Sequence, residues 1–120
     1  MDRKGLGNWG EERAARYLRL RGYSILERNF SCRAGEIDIV AKKGNILVFA
    51  EVKLRKNAEF AEAREFVTYA KQKRILTAAQ IYLAGHDWDL QPRFDVIEVY
   101  APDGESSHKV RINQIQDAFQ

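Results

Sequence analysis

Gly35-Glu36-Ile37-Asp38-Ile39-Val40-Ala41-Lys42-Lys43-Gly44-Asn45-Ile46-Leu47-Val48-Phe49-Ala50-Glu51-Val52-Lys53 is the stretch that decides the fold. Two segments of strand character, 36–41 and 46–54, flank Lys43-Gly44-Asn45, a hairpin signal. With Gly44-Asn45 as a two-residue turn, Lys43 pairs with Ile46. Counting outward then sets Asp38 opposite Glu51 and Glu36 opposite Lys53. Residues two apart on a strand share a face, so Glu51 and Lys53 point the same way. This register gathers Asp38, Glu51 and Lys53 in one patch, and a slip of one residue would scatter them.

On the N-terminal side, Tyr23 to Phe30 reads as a strand and 31–35 as a loop. Before them a helix is predicted from Asn8 to Leu20 or Arg21, with Asn8 as N-cap, Glu11 as its capping-box partner and Gly22 as the stop. Ala14, Ala15, Tyr17 and Leu18 make one face of that helix, with Glu11 on the same side. Arg13, Arg16 and Arg19 fall largely opposite, and Glu12 points toward them as an i+4 partner for Arg16. On the C-terminal side, 55–65 is charged and reads as a loop. A second helix follows over about 67–84, with Ile75, Leu76, Ala79, Tyr82 and Leu83 inward and Gly85 ending it. Strands at 94–100 and 109–112, a turn at 102–104 and a helical turn over 114–119 complete the chain. The order αβββαββ predicts an α/β fold, a central mixed sheet flanked by helices, in a single domain spanning 1–120.

The composition agrees with one folded domain: 120 residues, 45% hydrophobic, 31% charged. The longest apolar run, Ile46 to Ala50, is far short of the ~20 residues of a membrane-spanning helix. The start, Met1-Asp2-Arg3-Lys4-Gly5, lacks the apolar stretch of a secretory signal, so the expected location is the cytoplasm. Cys32 has no second cysteine to pair with. With only His86 and His108 beside it, a Cys/His zinc site within one chain is excluded. A net charge of +3 permits a polyanionic partner without requiring one.

Two carboxylates side by side repel unless a proton or cation lies between them. Mg²⁺ or Mn²⁺ suits such a pair, since it takes oxygen ligands and keeps several waters. The backbone carbonyl of Val52 could add a third protein oxygen. Lys53 is placed to hold the scissile phosphate or the attacking water, so Asp-x₁₂-Glu-x-Lys across a hairpin is what metal-assisted phosphodiester hydrolysis requires. The same residues also fit an ordinary surface hairpin whose cross-strand ion pairs contribute under ~1 kcal/mol each. Glu51 nevertheless sits within Val48-Phe49-Ala50-Glu51-Val52, and Asp38 within Ile37-Asp38-Ile39-Val40. Charges in strands of such buried character are expensive and usually serve a purpose.

Gly35-Glu36-Ile37-Asp38-Ile39-Val40 and Val48-Phe49-Ala50-Glu51-Val52-Lys53 resemble the motif core of the PD-(D/E)xK nuclease superfamily. Over roughly residues 7 to 119 the chain resembles the YraN-type family of small bacterial endonuclease-like proteins, itself similar to archaeal Holliday junction resolvases. The likeness runs through Gly7 to Leu18 with Glu11, Gly35 to Lys53, Lys71-Gln72 with the helix after it, and Arg93-Phe94-Asp95-Val96. It implies a restriction-endonuclease-like core and Mg²⁺-dependent cleavage of DNA. By the same likeness Asp38 is the first metal-binding Asp, Glu51 the second acid, Lys53 the catalytic lysine and Glu11 the extra acid of resolvase-like members. Ile37 stands where the superfamily often has Pro, a departure that resolvase-like branches tolerate.

The remaining candidates are weaker. Glu36 either supports Lys53, contacts a second ion or makes a cross-strand ion pair. Lys71 is a candidate phosphate contact and Gln72 a backbone or water contact at the start of the second helix. Arg55 and Lys73, with Lys56, Arg74 and the arginines of the first helix, could track a phosphate backbone. Asp95 is expected to make a structural pair with Arg93 or a loop amide. Trp9 and Trp88 read as packing residues, Cys32 as a free thiol, and neither histidine as a general base. The resulting expectation is an Mg²⁺-dependent (or Mn²⁺-dependent) endonuclease acting on branched or structured DNA. The alternatives are a non-catalytic nucleic-acid-binding module on the same fold and, third, a protein–protein adaptor. Cutting two strands of a junction needs two active sites, so one motif per chain sets the expectation of a homodimer.

Overall fold

Two helices and five strands follow one another in the computed structural model, which describes residues 3–56 and 67–120, with side chains from Asn8 onward. They are α1 (Arg3–Leu20), β1 (Ser24–Cys32), β2 (Gly35–Lys43), β3 (Ile46–Arg55), α2 (Tyr69–Ala84), β4 (Gln91–Tyr100) and β5 (Arg111–Ile115), with a 3₁₀ turn at Gly104–Ser106. The sheet order is β1-β2-β3-β4-β5. Strands β1, β2 and β3 form an antiparallel meander, β3 and β4 run parallel, and β5 returns antiparallel to β4. Parallel neighbours need a crossover, and α2 lies within it. This order around a mixed sheet is a restriction-endonuclease-like core.

The helices bury opposite faces. From α1, Ala14, Ala15 and Leu18 pack on Ile39, Ala41, Val48, Ala50, Ile97 and Val99. From α2, Ile75, Ala78, Ala79 and Tyr82 pack on Ile37, Val40, Leu47, Phe49 and Val96. The alternation of β3 thus puts Leu47 and Phe49, and by continuation Glu51 and Lys53, on the α2 side.

Several boundaries differ from those read in the sequence. Helix α1 begins at Arg3, so Asn8 lies inside it and forms no N-cap or capping box with Glu11. Once a helix is nucleated, each added residue gains a backbone bond, and this outweighs the weak propensity of Gly and Asn. Residues 31–35 are not a loop. Strand β1 runs to Cys32, paired with Gly35, and only Arg33-Ala34 turn. Strand β4 starts at Gln91, whose N–H donates to Asn45 O at 2.7 Å. Strand β5 starts at Arg111 rather than Lys109 and continues to Ile115, so 114–119 holds no helical turn. Of the loop expected over 55–65, Arg55 closes β3, and positions 57–65 lie outside the described residues. No helix among the described residues is long and apolar enough to cross a membrane.

Asp95 is fully buried on β4 and is a structural group. It accepts from Arg93 Nε at 2.9 Å, Arg93 Nη2 at 2.8 Å, Gln114 Nε2 at 2.9 Å and Asp117 N at 3.1 Å. Arg93 Nη2 also donates to Tyr23 OH at 2.8 Å. One buried carboxylate therefore ties together β4, β5, the C-terminal turn and the start of β1.

Candidate active site

The β2–β3 hairpin turns at Gly44-Asn45 and pairs regularly from Lys43↔Ile46 to Ile39↔Ala50, as the two-residue turn predicts. The next hydrogen-bonded pair would be Ile37 with Val52. Instead Asp38 Oδ2 accepts from Val52 N at 2.8 Å, so a carboxylate occupies the rung. The backbone shows why. Ile37 and Ile39 would share a face of a regular strand, yet Ile37 packs under α2 and Ile39 under α1. On the other side, Arg28 pairs with Ile39 and Phe30 with Ile37, while Asn29 between them has φ 53°. The sheet is kinked at Asp38, and β2 parts from β3 there, as irregularities near active sites often do. Extended backbone sends the N–H and C=O of one residue to the same side, so the Val52 carbonyl faces this opening too.

A cleft of about 300 Å³ opens here, lined by Gly35, Glu36, Asp38, Glu51, Lys71, Arg74 and Ile75. Glu51 is 6% exposed, and two ammonium groups reach its Oε1: Lys71 Nζ at 2.6 Å and Lys53 Nζ at 3.5 Å. Burial, then the charge of Glu51, pushes the Asp38 carboxyl up to about 7, against the Val52 N–H bond that favours the anion. Burial lowers the Lys53 ammonium, and Glu51 only partly restores it. Burial also works against the charged form of Lys71, but its hydrogen bond to Glu51 and the charge of Glu51 outweigh that and raise it. Asp38 and Glu51 thus line one cleft with Lys53 Nζ beside Glu51, although the ladder ends at Ile39↔Ala50, before the predicted pairing of Asp38 with Glu51.

A hard divalent cation fits these donors. The Asp38 anion is destabilised by its neighbour and Glu51 already attracts cations, while a carbonyl faces the same opening. Among the described residues no group of three or more His, Cys, Asp and Glu is placed to hold a metal. The ligand set on offer is therefore two carboxylates and the Val52 carbonyl, with water for the rest.

Glu11 stands at the edge of this cluster. In the orientation that satisfies its amide, Asn29 donates to Glu11 Oε1 at 2.7 Å and to Glu36 Oε1 at 3.2 Å. The Glu11 carboxyl is raised, first by burial and then by Glu36 and Glu51, against the pull of Arg28. Glu36 pairs with Ser31 on β1 rather than with Lys53. Glu12 bonds Arg28 at 2.6 Å and lies 3.7 Å from Arg19, with the charge of the expected Arg16 acting on it as well. Gln72 Nε2 donates to Val67 O at 2.8 Å and secures the helix start. Arg55 is half-buried with its Nε 4.0 Å from the buried Glu98, and the Lys73 ammonium lies over the Tyr69 ring.

Gly35 was not expected to shape the cleft, and Arg74, expected only to track a phosphate backbone, lines it. Gly35 has φ +154°, and a Cβ there would come 3.3 Å from Arg74 Cβ, so its bare backbone lets α2 lie against the β1–β2 turn. Arg74 follows Lys71 by three residues, the spacing that puts both on one helix face. That spacing was the available signal.

Sequence comparison places this architecture among relatives. The family described as "Uncharacterised protein family UPF0102" matches residues 10–99. The chain belongs to the UPF0102 family. It is 43% identical to a UPF0102 protein of Caldanaerobacter subterraneus, over 99% of this chain and 98% of the relative. It is 41% identical to one of Caldicellulosiruptor saccharolyticus, over 99% of this chain and 100% of the relative. A third, from Clostridium perfringens, is 45% identical over 97% of this chain and 94% of its own length. The resemblance to the YraN-type family is borne out by these UPF0102 relatives.

Proposed function

We propose that this UPF0102 protein is an endonuclease that hydrolyses phosphodiester bonds in branched or structured DNA with Mg²⁺ or Mn²⁺. One observation carries the reading: a carboxylate pair, Asp38 and Glu51, set where the sheet opens, with the half-buried Lys53 ammonium 3.5 Å from Glu51. Asp38, Glu51 and the Val52 carbonyl would hold the metal, with Glu11 at the edge of the acidic cluster. When bound, such an ion supplies Lewis-acid activation of a phosphoryl oxygen and of water. Lys53 orients the attacking water or a phosphate oxygen and offsets the charge that builds on the phosphorus oxygens. The exposed Arg16 and Arg19 of α1 and Arg21 just after it, with Lys73, offer the phosphate backbone a basic surface. Cutting both strands of a junction would use two copies of the chain.

Cleavage of a panel of single-stranded, duplex, flap and four-way DNAs with Mg²⁺ or Mn²⁺ tests the reading, with Asp38→Asn and Glu51→Gln alongside. Activity on a structured DNA, lost in both folded variants, is expected. Wild-type activity in either variant would overturn the assignment. The 2.6 Å pairing of Lys71 with Glu51 favours a second reading, a nucleic-acid-binding module whose acids are internally neutralised. It would bind DNA in a salt-dependent way, indifferent to Mg²⁺ and to Asp38→Asn.

A further inference from the structure

Lys71 enters the acidic site from a fixed base. Thr68 Oγ1 caps α2 by accepting from Lys71 N at 3.2 Å, and Gln72 N donates to Thr68 O at 2.8 Å. The Gln72 side chain holds Val67 O at 2.8 Å, so the first turn of the helix is bonded on two sides. From this turn the Lys71 stem reaches Glu51 Oε1 at 2.6 Å. Glu51 is 6% exposed and Lys71 37%, so the acid is fixed in the sheet while the ammonium lies at the cleft wall with room to leave. Arg74 lines the same cleft, kept close by the missing side chain of Gly35.

An ammonium held at 2.6 Å by Glu51 Oε1 competes with a divalent ion for the charge of the same carboxylate. Their mutual repulsion in a half-buried site disfavours holding both at close range. Lys53 is less mobile, since it rises from the strand beside Glu51 and its side chain is 19% exposed. Lys71 is the one of the two that can move.

We propose that Lys71 is the resident counter-ion of the Asp38–Glu51 pair, that a divalent metal ion displaces it from Glu51, and that the freed ammonium joins Arg74 to hold a phosphodiester oxygen at the cleft mouth. The proposal rests on the metal-site reading above. It makes metal and DNA binding mutually reinforcing, because each would favour the same released position of Lys71. It also gives Lys71 a role that a plain phosphate contact would not have: it opposes metal binding when DNA is absent.

The test is Mn²⁺ binding by calorimetry on the full chain without DNA, comparing wild type with Lys71→Met and Lys71→Arg, and with Arg74→Ala as a cleft control. Thermal unfolding checks that each variant is folded. Lys71→Met is expected to bind Mn²⁺ at least five-fold more tightly than wild type, and Arg74→Ala to match wild type. Lys71→Arg, whose fork can grip Glu51 with two hydrogen bonds, should bind at least three-fold more weakly, and it carries the test if Lys71→Met does not fold. Unchanged or weaker Mn²⁺ affinity in folded Lys71→Met, wild-type or tighter affinity in Lys71→Arg, or no Mn²⁺ binding by any form would overturn the exchange. Unchanged affinity in a DNA-cutting enzyme would remove the exchange and leave the nuclease. Tighter affinity in a chain that cuts no DNA would remove the nuclease and leave the exchange.

Discussion

Replacing Asp38 by Asn should abolish cleavage and at the same time stabilise the metal-free protein. Burial and the nearby charge of Glu51 push the Asp38 carboxyl from its ordinary 3.8 to about 7. At about 1.4 kcal/mol for each pH unit of displacement, holding it ionised in the folded state costs on the order of 4 kcal/mol relative to the unfolded chain. Asparagine keeps the shape and can still accept the Val52 N–H bond through its amide oxygen. It removes the charge that Glu51 opposes, and it loses the attraction between Asp38 and Lys71. Water entry and relaxation reduce the figure further, so a net gain of about 1–2 kcal/mol is expected at pH 8 in a chelating buffer. For a chain of this size that is a rise in Tm of about 4–8 °C.

The pH dependence gives the sharper check. An acid whose pKa is raised by folding contributes stability that is fully present below its unfolded value and is lost as pH rises through its folded value. For Asp38 the loss runs from about 3.8 to about 7. The advantage of Asp38→Asn should therefore be greatest above pH 7, shrink as pH falls and nearly vanish by pH 4. Urea unfolding of both proteins at a series of pH values, all with EDTA, measures this difference. A variant less stable than wild type at pH 8 by more than about 1 kcal/mol, or a difference that does not change with pH, would refute the electrostatic account of the site. The same protonation sets the metal: Mn²⁺ must compete with the proton on Asp38, so wild-type affinity should rise with pH up to about 7 and then level off.

Lys53→Met should lower the cleavage rate by about 100-fold or more while Mn²⁺ affinity stays at or above the wild-type value, measured by single-turnover kinetics and calorimetry. Asp95→Ala strips Arg93, Gln114 and the Asp117 N–H of their shared acceptor and leaves a half-buried guanidinium without its carboxylate; denaturant unfolding should show a loss of about 3–5 kcal/mol. Gly35→Ala meets both a positive φ and Arg74 Cβ at 3.3 Å, so it should cost about 1–2 kcal/mol in the same assay. An alanine there that leaves stability unchanged would mean that α2 does not depend on this close approach.

The hairpin that builds the site was legible in the sequence because each of its determinants is local. Gly44-Asn45 specifies a two-residue turn, Lys43↔Ile46 follows, and the pairing then runs to Ile39↔Ala50, which leaves Asp38 and Glu51 next in line at its end. The crossover was legible for a similar reason: a strand, a helical repeat and a strand in that order leave few arrangements for a buried sheet. What could not be read locally is that the ladder stops at Ile39↔Ala50. That stop depends on three strands at once. Ten register pairs with β4 hold β3 in line, while β2 follows β1 through the left-handed Asn29 and so parts from β3 at Asp38. The Val52 N–H then loses its backbone partner, and the Asp38 side chain takes the rung.

The contact of α2 with the site was not legible for the complementary reason. In one dimension Lys71 is an exposed polar residue at a helix start, and nothing in its neighbours points to an acid 20 positions earlier. Its place beside Glu51 follows from how closely α2 can approach the β1–β2 turn, and a missing Cβ at Gly35 sets that distance. The regular pattern therefore predicts which residues meet, while the chemistry arises where the pattern breaks. A carboxylate that replaces a backbone carbonyl in a sheet is held rigidly by one oxygen and leaves the other available. That is the arrangement a metal ligand needs, and a strand that simply continued would have turned Asp38 into one more member of a cross-strand pair.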